Sequence, residues 1–200
     1  MKLGLILECQ NKGADQNVCE HLARMLVADI EIVTRAMDNK PNLIKDCGVV
    51  AAQLLKDGCD KVLIIWDLHP ATHGSSNKPC VVEDCDQILK KLAEANVAGN
   101  VHLVCIEKML EAWLLADGRA LTNFFTTPTH VPERIKDEKT PDTIDDPKRK
   151  MMKHFRKNRR GEYNGSVHAE KIVRNIADFS RLRRSATFRR FVLRLTGQEL

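Results

Sequence analysis

The sequence predicts an α/β protein with a parallel sheet of about four strands flanked by helices, and with a C-terminal helical extension. Short apolar runs, typical of strands covered on both faces, alternate with segments whose apolar residues recur at helical spacing. The connections between these segments are short, and such alternation favours parallel strands joined by helices. The predicted strands cover residues 3–7, 30–33, 61–66 and 101–106.

The predicted helices have apolar residues three and four positions apart and are bounded by residues that start or end helices. Asn42 is expected to open the second helix and Gly58 to end it. Ser166 and Ser185 are expected to cap the last two helices, and Gly197 to end the final one. The predicted helices cover residues 18–26, 42–57, 82–95, 109–116, 166–179 and 186–196.

The chain divides into three segments by composition. Residues 1–117 are expected to form the α/β core, and residues 166–200 C-terminal helices that pack on it. Residues 118–165 between them hold four of the seven prolines, clustered charges and little apolar periodicity. This middle segment is therefore predicted to be a polar and basic excursion, a long and partly mobile loop.

Several protein classes are excluded by composition. No apolar run approaches the roughly 20 residues that span a bilayer, and the short apolar run before Glu8 predicts a first strand, not a signal peptide. The seven cysteines are scattered without a C-x-x-C pair, which predicts reduced, mostly buried thiols. A zinc site from Cys80, Cys85, His69 and His73 would have a spacing unlike known closed sites. We therefore expect a cytoplasmic protein without a membrane partner.

The charge is distributed unevenly. Residues 1–147 carry 16 Lys and Arg against 23 Asp and Glu, a net charge of −7, whereas residues 148–200 carry 16 against 4, a net charge of +12. Such a basic region predicts a polyanionic partner, most plausibly nucleic acid held through its phosphates; the alternative is a solvated helix face. The densest part comprises Lys148, Arg149, Lys150, Lys153, Arg156, Lys157, Arg159 and Arg160.

Three carboxylates follow predicted strands directly: Glu8, Asp67 and Glu107. Because the carboxyl ends of parallel strands meet at one edge of the sheet, these side chains are expected to converge on a ligand-binding crevice. Oxygen ligands of this kind suit Mg²⁺ or Mn²⁺. The alternative is that they only solubilise the strand ends.

Residues 107–117 read Glu-Lys-Met-Leu-Glu-Ala-Trp-Leu-Leu-Ala-Asp. This run resembles the E-A-W-L-L-A-D signature of a Toprim-like bacterial family known as domain of unknown function 4276. The closing stretch, from Val167-His168-Ala169 to Ser185-Ala186-Thr187-Phe188, resembles that family's C-terminal helices. The resemblance covers nearly the whole chain, and it implies a Toprim-like fold related to the Toprim domains of overcoming-lysogenisation-defect nucleases.

The resemblance also implies roles for particular residues. Glu8 takes the place of the Toprim glutamate, and Asp67 that of the first aspartate of Asp-x-Asp, whereas the second aspartate is His69 here. Imidazole is a poorer ligand for Mg²⁺ and a better one for Mn²⁺ or Zn²⁺. The candidate catalytic residues are Glu8, Asp67 and Glu111; the candidate metal ligands are Glu8, Asp67, His69 and Glu107; the secondary candidates are Asp15, His73 and Asp117.

Two functions of different classes follow from these residues. The first is a metal-dependent phosphoryl-transfer enzyme, a nuclease acting on DNA or RNA, with a protein partner in a defence or mobile-element system implied only by the resemblance. The second is a catalytically inactive Toprim-like module that binds nucleic acid or protein. His69 separates them, because catalysis would require His69, Asp15 or Glu111 to reach the metal. A nucleotide-binding enzyme is disfavoured, since no Gly-rich loop follows the first strand.

Overall fold

A computed structural model describes residues 1–69 and 80–199. It confirms the predicted fold class, an α/β protein built on a four-stranded, all-parallel sheet flanked by helices and completed by a C-terminal helix. The strand order is β2-β1-β3-β4. The strands are β1 (Lys2–Leu7), β2 (Glu31–Ala36), β3 (Lys61–Asp67) and β4 (Val101–Ile106).

Helices connect the strands and extend the chain beyond them. Within the described residues these are α1 (Ala14–Leu26), α2 (Lys40–Lys56), α3 (Val81–Glu94), α4 (Glu111–Ala116), α5 (Gly118–Phe125), α6 (Pro147–Lys157), α7 (Gly165–Val173) and α8 (Ala186–Thr196).

The strand order creates one point at which the direction of winding reverses. From β1 the chain moves to β2 on one side, with Leu3 opposite Ile32, and then crosses back to β3 on the other side, where Leu5 lies opposite Leu63. In parallel α/β sheets, the crevice outside the carboxyl ends of the strands at such a switch point is the usual ligand-binding position. Here it lies between the ends of β1 and β3.

The core consists of two layers, one on each face of the sheet. Alternate strand residues point to opposite faces, so that Leu5 and Ile65 pack with α1 and α4 to α8, whereas Ile6 and Trp66 pack with α2 and α3. Both faces are therefore buried, which explains why the strands read as continuous apolar runs.

Several helix boundaries differ from the sequence prediction: α1 begins at Ala14 and not at residue 18, and α7 has Asn164 at its N-cap position, so that the predicted cap Ser166 lies inside the helix. The second helix begins at Lys40 rather than at Asn42, because the Asn39 side chain accepts a hydrogen bond of 2.9 Å from the Asn42 amide and caps it. Helix α7 ends at Val173, where tighter turns follow: the amide of Ile176 donates to the Val173 carbonyl. The predicted cap of the last helix is confirmed, since the Ser185 hydroxyl accepts from the Phe188 amide.

The segment 118–165 is more ordered than its composition predicted. It contains α5, α6 and a short 3₁₀ turn, and its residues Phe125, Met151 and Phe155 are fully buried. Phe125 and Phe155 meet edge to face with ring centres 5.0 Å apart. Because the partners lie on different helices, the periodicity of neither segment reveals the contact.

The segment is also tied to the C-terminal helices by a buried polar cluster. Asp142 accepts hydrogen bonds from the Ser185 hydroxyl at 2.7 Å and from the Ala186 amide at 2.6 Å. These bonds hold the start of α8.

No helix within residues 1–69 and 80–199 is both long and apolar enough to cross a membrane. All seven cysteines are free, as predicted.

Candidate functional site

A cavity of about 410 Å³ lies at the carboxyl edge of the sheet, beside the switch point. One wall is acidic and is formed by Asp15, Asp67 and Glu111. A second part of the lining, the donor wall, is formed by Lys148 and Tyr163 and by residues 164–166. The cavity therefore brings together residues as distant in the chain as Cys9 and Ser166, and its lining combines acidic groups with hydrogen-bond donors.

Glu8 and Asp67 occupy the ends of the two strands that meet at the switch point. Each carries one buried side-chain oxygen, Oε2 of Glu8 and Oδ1 of Asp67, without a hydrogen-bond partner among the described residues. The other oxygen of Asp67 accepts a bond of 3.4 Å from the Leu110 amide. Because buried polar atoms in folded proteins are nearly always paired, two orphaned carboxyl oxygens at one sheet edge indicate a binding site.

Asp15 reaches the site because the loop after β1 turns tightly. The Gly13 amide donates to the Gln10 carbonyl at 2.8 Å, and a Cβ at Gly13 would lie only 2.8 Å from that carbonyl oxygen. Glycine is therefore required for this approach. The turn returns the chain to the strand ends and places Asp15 in the first turn of α1, bordering the cavity.

Glu111 enters the site from α4. It is the first residue of that helix and is only 8 % exposed, and its side chain borders the cavity as the sequence analysis expected. Trp113, two positions later, is fully buried on the side of α8, where it packs against Phe188 and Phe191. The short helix therefore contributes Glu111 to the cavity and Trp113 to the hydrophobic core.

Burial raises the pKa values of the four carboxyl groups, and neighbouring acids add to the effect at Glu8, Asp15 and Asp67. Burial raises the pKa of Glu8 to about 8, an effect opposed by the ammonium of Lys40. Burial and the neighbouring Glu111 raise the pKa of Asp15 to about 7. The pKa of Asp67 is well above its ordinary value through burial and then through Asp15 and Glu8, and burial also raises the pKa of Glu111. The cluster lacks enough positive charge to hold all four groups ionised.

These residues fit a divalent cation in composition. Carboxylates are the ligands that Mg²⁺ and Mn²⁺ prefer, and a cation would satisfy the two orphaned oxygens and lower all four raised pKa values. However, no three His, Cys, Asp or Glu side chains within residues 1–69 and 80–199 form a group that could hold a metal ion as they stand. The acids are therefore neighbours, but in this structure they are not arranged to coordinate one ion together.

Other predicted site residues lie elsewhere. Glu107 is exposed and does not border the cavity, although it follows β4 directly. His69 is half-buried beside Lys108, to whose carbonyl its amide donates, and it does not border the cavity either. Asp117 caps α5, accepting from the Arg119 and Ala120 amides. His73 lies outside the described residues.

The predicted basic run forms helix α6 and the turn that follows it. Three of its eight cations pair with acids: Lys150 with Glu138, Arg156 with Glu162 and Lys157 with Glu133. The other five make no ion pair with the described residues. Of the eight, Lys148 borders the cavity, so that one end of the basic segment adjoins the acidic site.

Three functional residues were missed from the sequence. Tyr163 and Ser166 border the cavity, and Lys40 is buried behind Glu8, where it donates to the Leu68 carbonyl at 2.8 Å and pairs with Asp84 at 3.5 Å. Tyr163 is the single tyrosine of the chain and stands between two glycines, Gly161 and Gly165. This position could have identified Tyr163 as a candidate, because a lone aromatic residue in a turn-rich polar segment is expected to pack against the core or to bind a ligand.

The fold and the cavity define a parallel α/β protein with a carboxylate cluster at its topological switch point. Comparison with known sequences assigns it more closely: the chain belongs to the family described as domain of unknown function (DUF4276), whose model matches residues 12–196. The match includes the Glu-Ala-Trp-Leu-Leu-Ala-Asp run of α4 and three of the four cluster acids, Asp15, Asp67 and Glu111. No curated protein and no solved structure matches the chain.

Proposed function

We propose that this protein is a metal-dependent phosphoryl-transfer enzyme, a nuclease that acts on DNA or RNA. The observation that carries the proposal is the position of the carboxyl cluster. Asp15, Asp67 and Glu111 border the cavity at the switch point, next to the start of a basic helix, and Glu8 lies beside Asp67; Glu8 and Asp67 each have an orphaned buried oxygen. Acids for a divalent cation and lysines and arginines for a phosphate backbone are the two requirements of metal-assisted phosphodiester hydrolysis.

In this account, Glu8 and Asp67 are the principal metal ligands, and Asp15 and Glu111 complete the donor set. A bound Mg²⁺ or Mn²⁺ would supply an activated water and charge stabilisation for the leaving oxygen. The chain itself contributes position: Asp15, Asp67 and Glu111 border the cavity, and Glu8 lies beside Asp67 at the end of the adjacent strand. The unpaired cations of α6 hold the flanking backbone.

We also propose a relationship to the Toprim fold. Support comes from a glutamate directly after β1 and an aspartate at the end of the adjacent strand β3. Where Toprim proteins have a second aspartate, this chain has His69, which does not border the cavity. Asp15 and Glu111 do border it, and they are the acids that would replace the missing ligand.

Hydrolysis of labelled single- and double-stranded DNA and RNA in Mg²⁺ or Mn²⁺ tests the proposal. Wild type is expected to cleave at least one of these substrates, and Glu8→Gln and Asp67→Asn to lose at least about a hundredfold in rate, as expected when a metal site is lost. The matched control is Glu107→Gln, which removes another acid after a strand but outside the cavity. Cleavage by wild type that survives both cluster variants would contradict the proposal.

One observation favours a second candidate, a binding module without catalysis. The described residues contain no ready-made group of three metal ligands, and His69 stands away from the cavity. Such a module would bind nucleic acid through α6 and would not cleave it under any metal. Equal binding by wild type, Glu8→Gln and Asp67→Asn, together with no cleavage, would select this candidate.

A further inference from the structure

The donor wall of the cavity contains the amino-terminal end of helix α7. The amides of Val167 and His168 donate to the carbonyl of Asn164, at 3.2 and 2.9 Å. The amides of Gly165 and Ser166 have no acceptor within the described residues, and the Asn164 side chain forms no cap bond. Free amides at the positive end of a helix dipole attract anions.

The hydroxyl of Tyr163 is a second, independent sign of a ligand on this wall. Tyr163 is only 6 % exposed, and its buried hydroxyl makes no well-formed hydrogen bond with the described residues; burial and the nearby Glu111 carboxyl group raise its pKa. The ring is fixed by Phe155, whose ring centre is 5.2 Å away. A buried hydroxyl that packing holds in place, with its donor unused, is costly unless something binds it.

A cation completes the wall. Lys148, in the first turn of α6, borders the same cavity and forms no ion pair with any described residue. The neighbouring Asp146 side chain is occupied, since it caps α6 by accepting from the Arg149 amide at 2.7 Å. The Lys148 ammonium is therefore available to a group bound in the cavity.

We propose that Lys148, Tyr163 and the free amides of Gly165 and Ser166 form a phosphate subsite facing the carboxylate cluster. An ammonium, a hydroxyl and two amides are four hydrogen-bond donors, and a phosphoryl group offers the matching acceptors. The start of α7 lies close to the acids: a Cβ at Gly165 would lie 3.2 Å from that of Ala14 and 3.6 Å from both the Tyr163 hydroxyl and Oε1 of Glu111.

The subsite extends the proposed function, on which it rests for the identity of its ligand: the phosphate would be that of a nucleic-acid strand. The acidic wall alone repels such a group, and the donor wall alone would bind any small anion. With a divalent cation on the carboxylates, a phosphoryl oxygen can be shared between the two walls. The cavity volume of about 410 Å³ accommodates a phosphate and part of one nucleotide.

Isothermal titration with inorganic phosphate tests the subsite without metal. The titration is made at pH 6, without a divalent cation. Wild type is expected to bind phosphate. Lys148→Met and Tyr163→Phe are each expected to weaken binding about tenfold, the usual effect of losing one hydrogen bond to a charged ligand. Lys171→Met, at the other end of α7, is the matched control.

Both variants should fold normally, because Tyr163→Phe keeps the buried ring and the Lys148 side chain forms no ion pair with the described residues. The subsite is refuted if wild type binds no phosphate, or if Lys148→Met and Tyr163→Phe bind it as tightly as Lys171→Met does. The outcomes of this titration can be distinguished from those of the cleavage assay. Phosphate binding without cleavage by any metal would keep the subsite and reject the nuclease, whereas cleavage that is unaffected in both variants would keep the nuclease and reject the subsite.

Discussion

The indole nitrogen of Trp113 donates a buried hydrogen bond of 2.8 Å to the hydroxyl oxygen of Thr187. Trp113 lies in α4, two residues after the cluster acid Glu111, and Thr187 lies in the first turn of α8. The bond therefore joins the two sequence stretches that carry the family resemblance. It also gives a reason why the two stretches occur together, because α8 anchors the short helix that places Glu111 at the cavity.

Trp113→Phe is expected to lower the free energy of unfolding by about 2–3 kcal/mol. The substitution removes buried ring volume and leaves the Thr187 hydroxyl with one partner fewer. Urea denaturation measures the change. The double-mutant cycle with Thr187→Val should give a coupling of about 1 kcal/mol; additive effects of the two substitutions would show that the bond does not connect the helices energetically.

The raised pKa values predict an unusual dependence of stability on pH. Glu8, with a pKa of about 8 in the folded chain and an ordinary value of 4.5, holds its proton in the folded state after the unfolded chain has released it. Folding therefore binds protons, and this contribution is complete below about pH 4.5 and is lost as the pH rises to 8. Asp15 acts in the same direction between pH 3.8 and about 7.

Thermal unfolding in EDTA at pH 5 and at pH 8 measures this effect by comparison with Glu8→Gln. The comparison is needed because buried histidines such as His154, whose pKa is lowered by burial, contribute with the opposite sign. Wild type should lose a few kcal/mol more than Glu8→Gln between the two pH values, to order of magnitude. Equal losses would mean that Glu8 is ionised in the folded protein at pH 5.

Helix α6 should bind nucleic acid through its unpaired cations. Replacing Lys153, Arg159 and Arg160 by Gln is expected to reduce the slope of log Kd against log salt by about 2 for single-stranded DNA, at about 0.7 per phosphate. Fluorescence anisotropy over a salt series measures it. The matched triple variant replaces Lys45, Lys56 and Lys90, which are exposed on α2 and α3 across the sheet; an equal reduction there would reject α6 as the binding surface.

The sheet and most helices could be predicted from local sequence, because buried parallel strands appear as continuous apolar runs and amphipathic helices have apolar residues three and four positions apart. The acids at the switch point were predictable for a related reason: Glu8 and Asp67 follow strands whose ends must meet in a parallel sheet. Glu107 obeys the same rule and yet is exposed. The sequence places a residue at a strand end but does not give the direction of its side chain.

The second wall of the cavity could not be predicted, because it depends on contacts between distant segments. Tyr163 reaches the site only because Phe155 packs against its ring and α7 lies against α1. Neither contact leaves a periodic signal. Similarly, Lys40 lies before the predicted helix start at Asn42, and it enters the neighbourhood of Glu8 because the structure begins α2 at Lys40 and brings the Leu68 carbonyl within its reach.

The most direct test of the carboxylate cluster is Mn²⁺ binding, measured at pH 8 from the electron paramagnetic resonance of the free ion. The account predicts that wild type binds Mn²⁺, that Asp67→Asn and Glu111→Gln raise the Kd about tenfold or more, and that Glu107→Gln leaves it within about twofold. Absence of binding by wild type, or equal binding by Asp67→Asn, would show that the four acids at the switch point do not form a metal site.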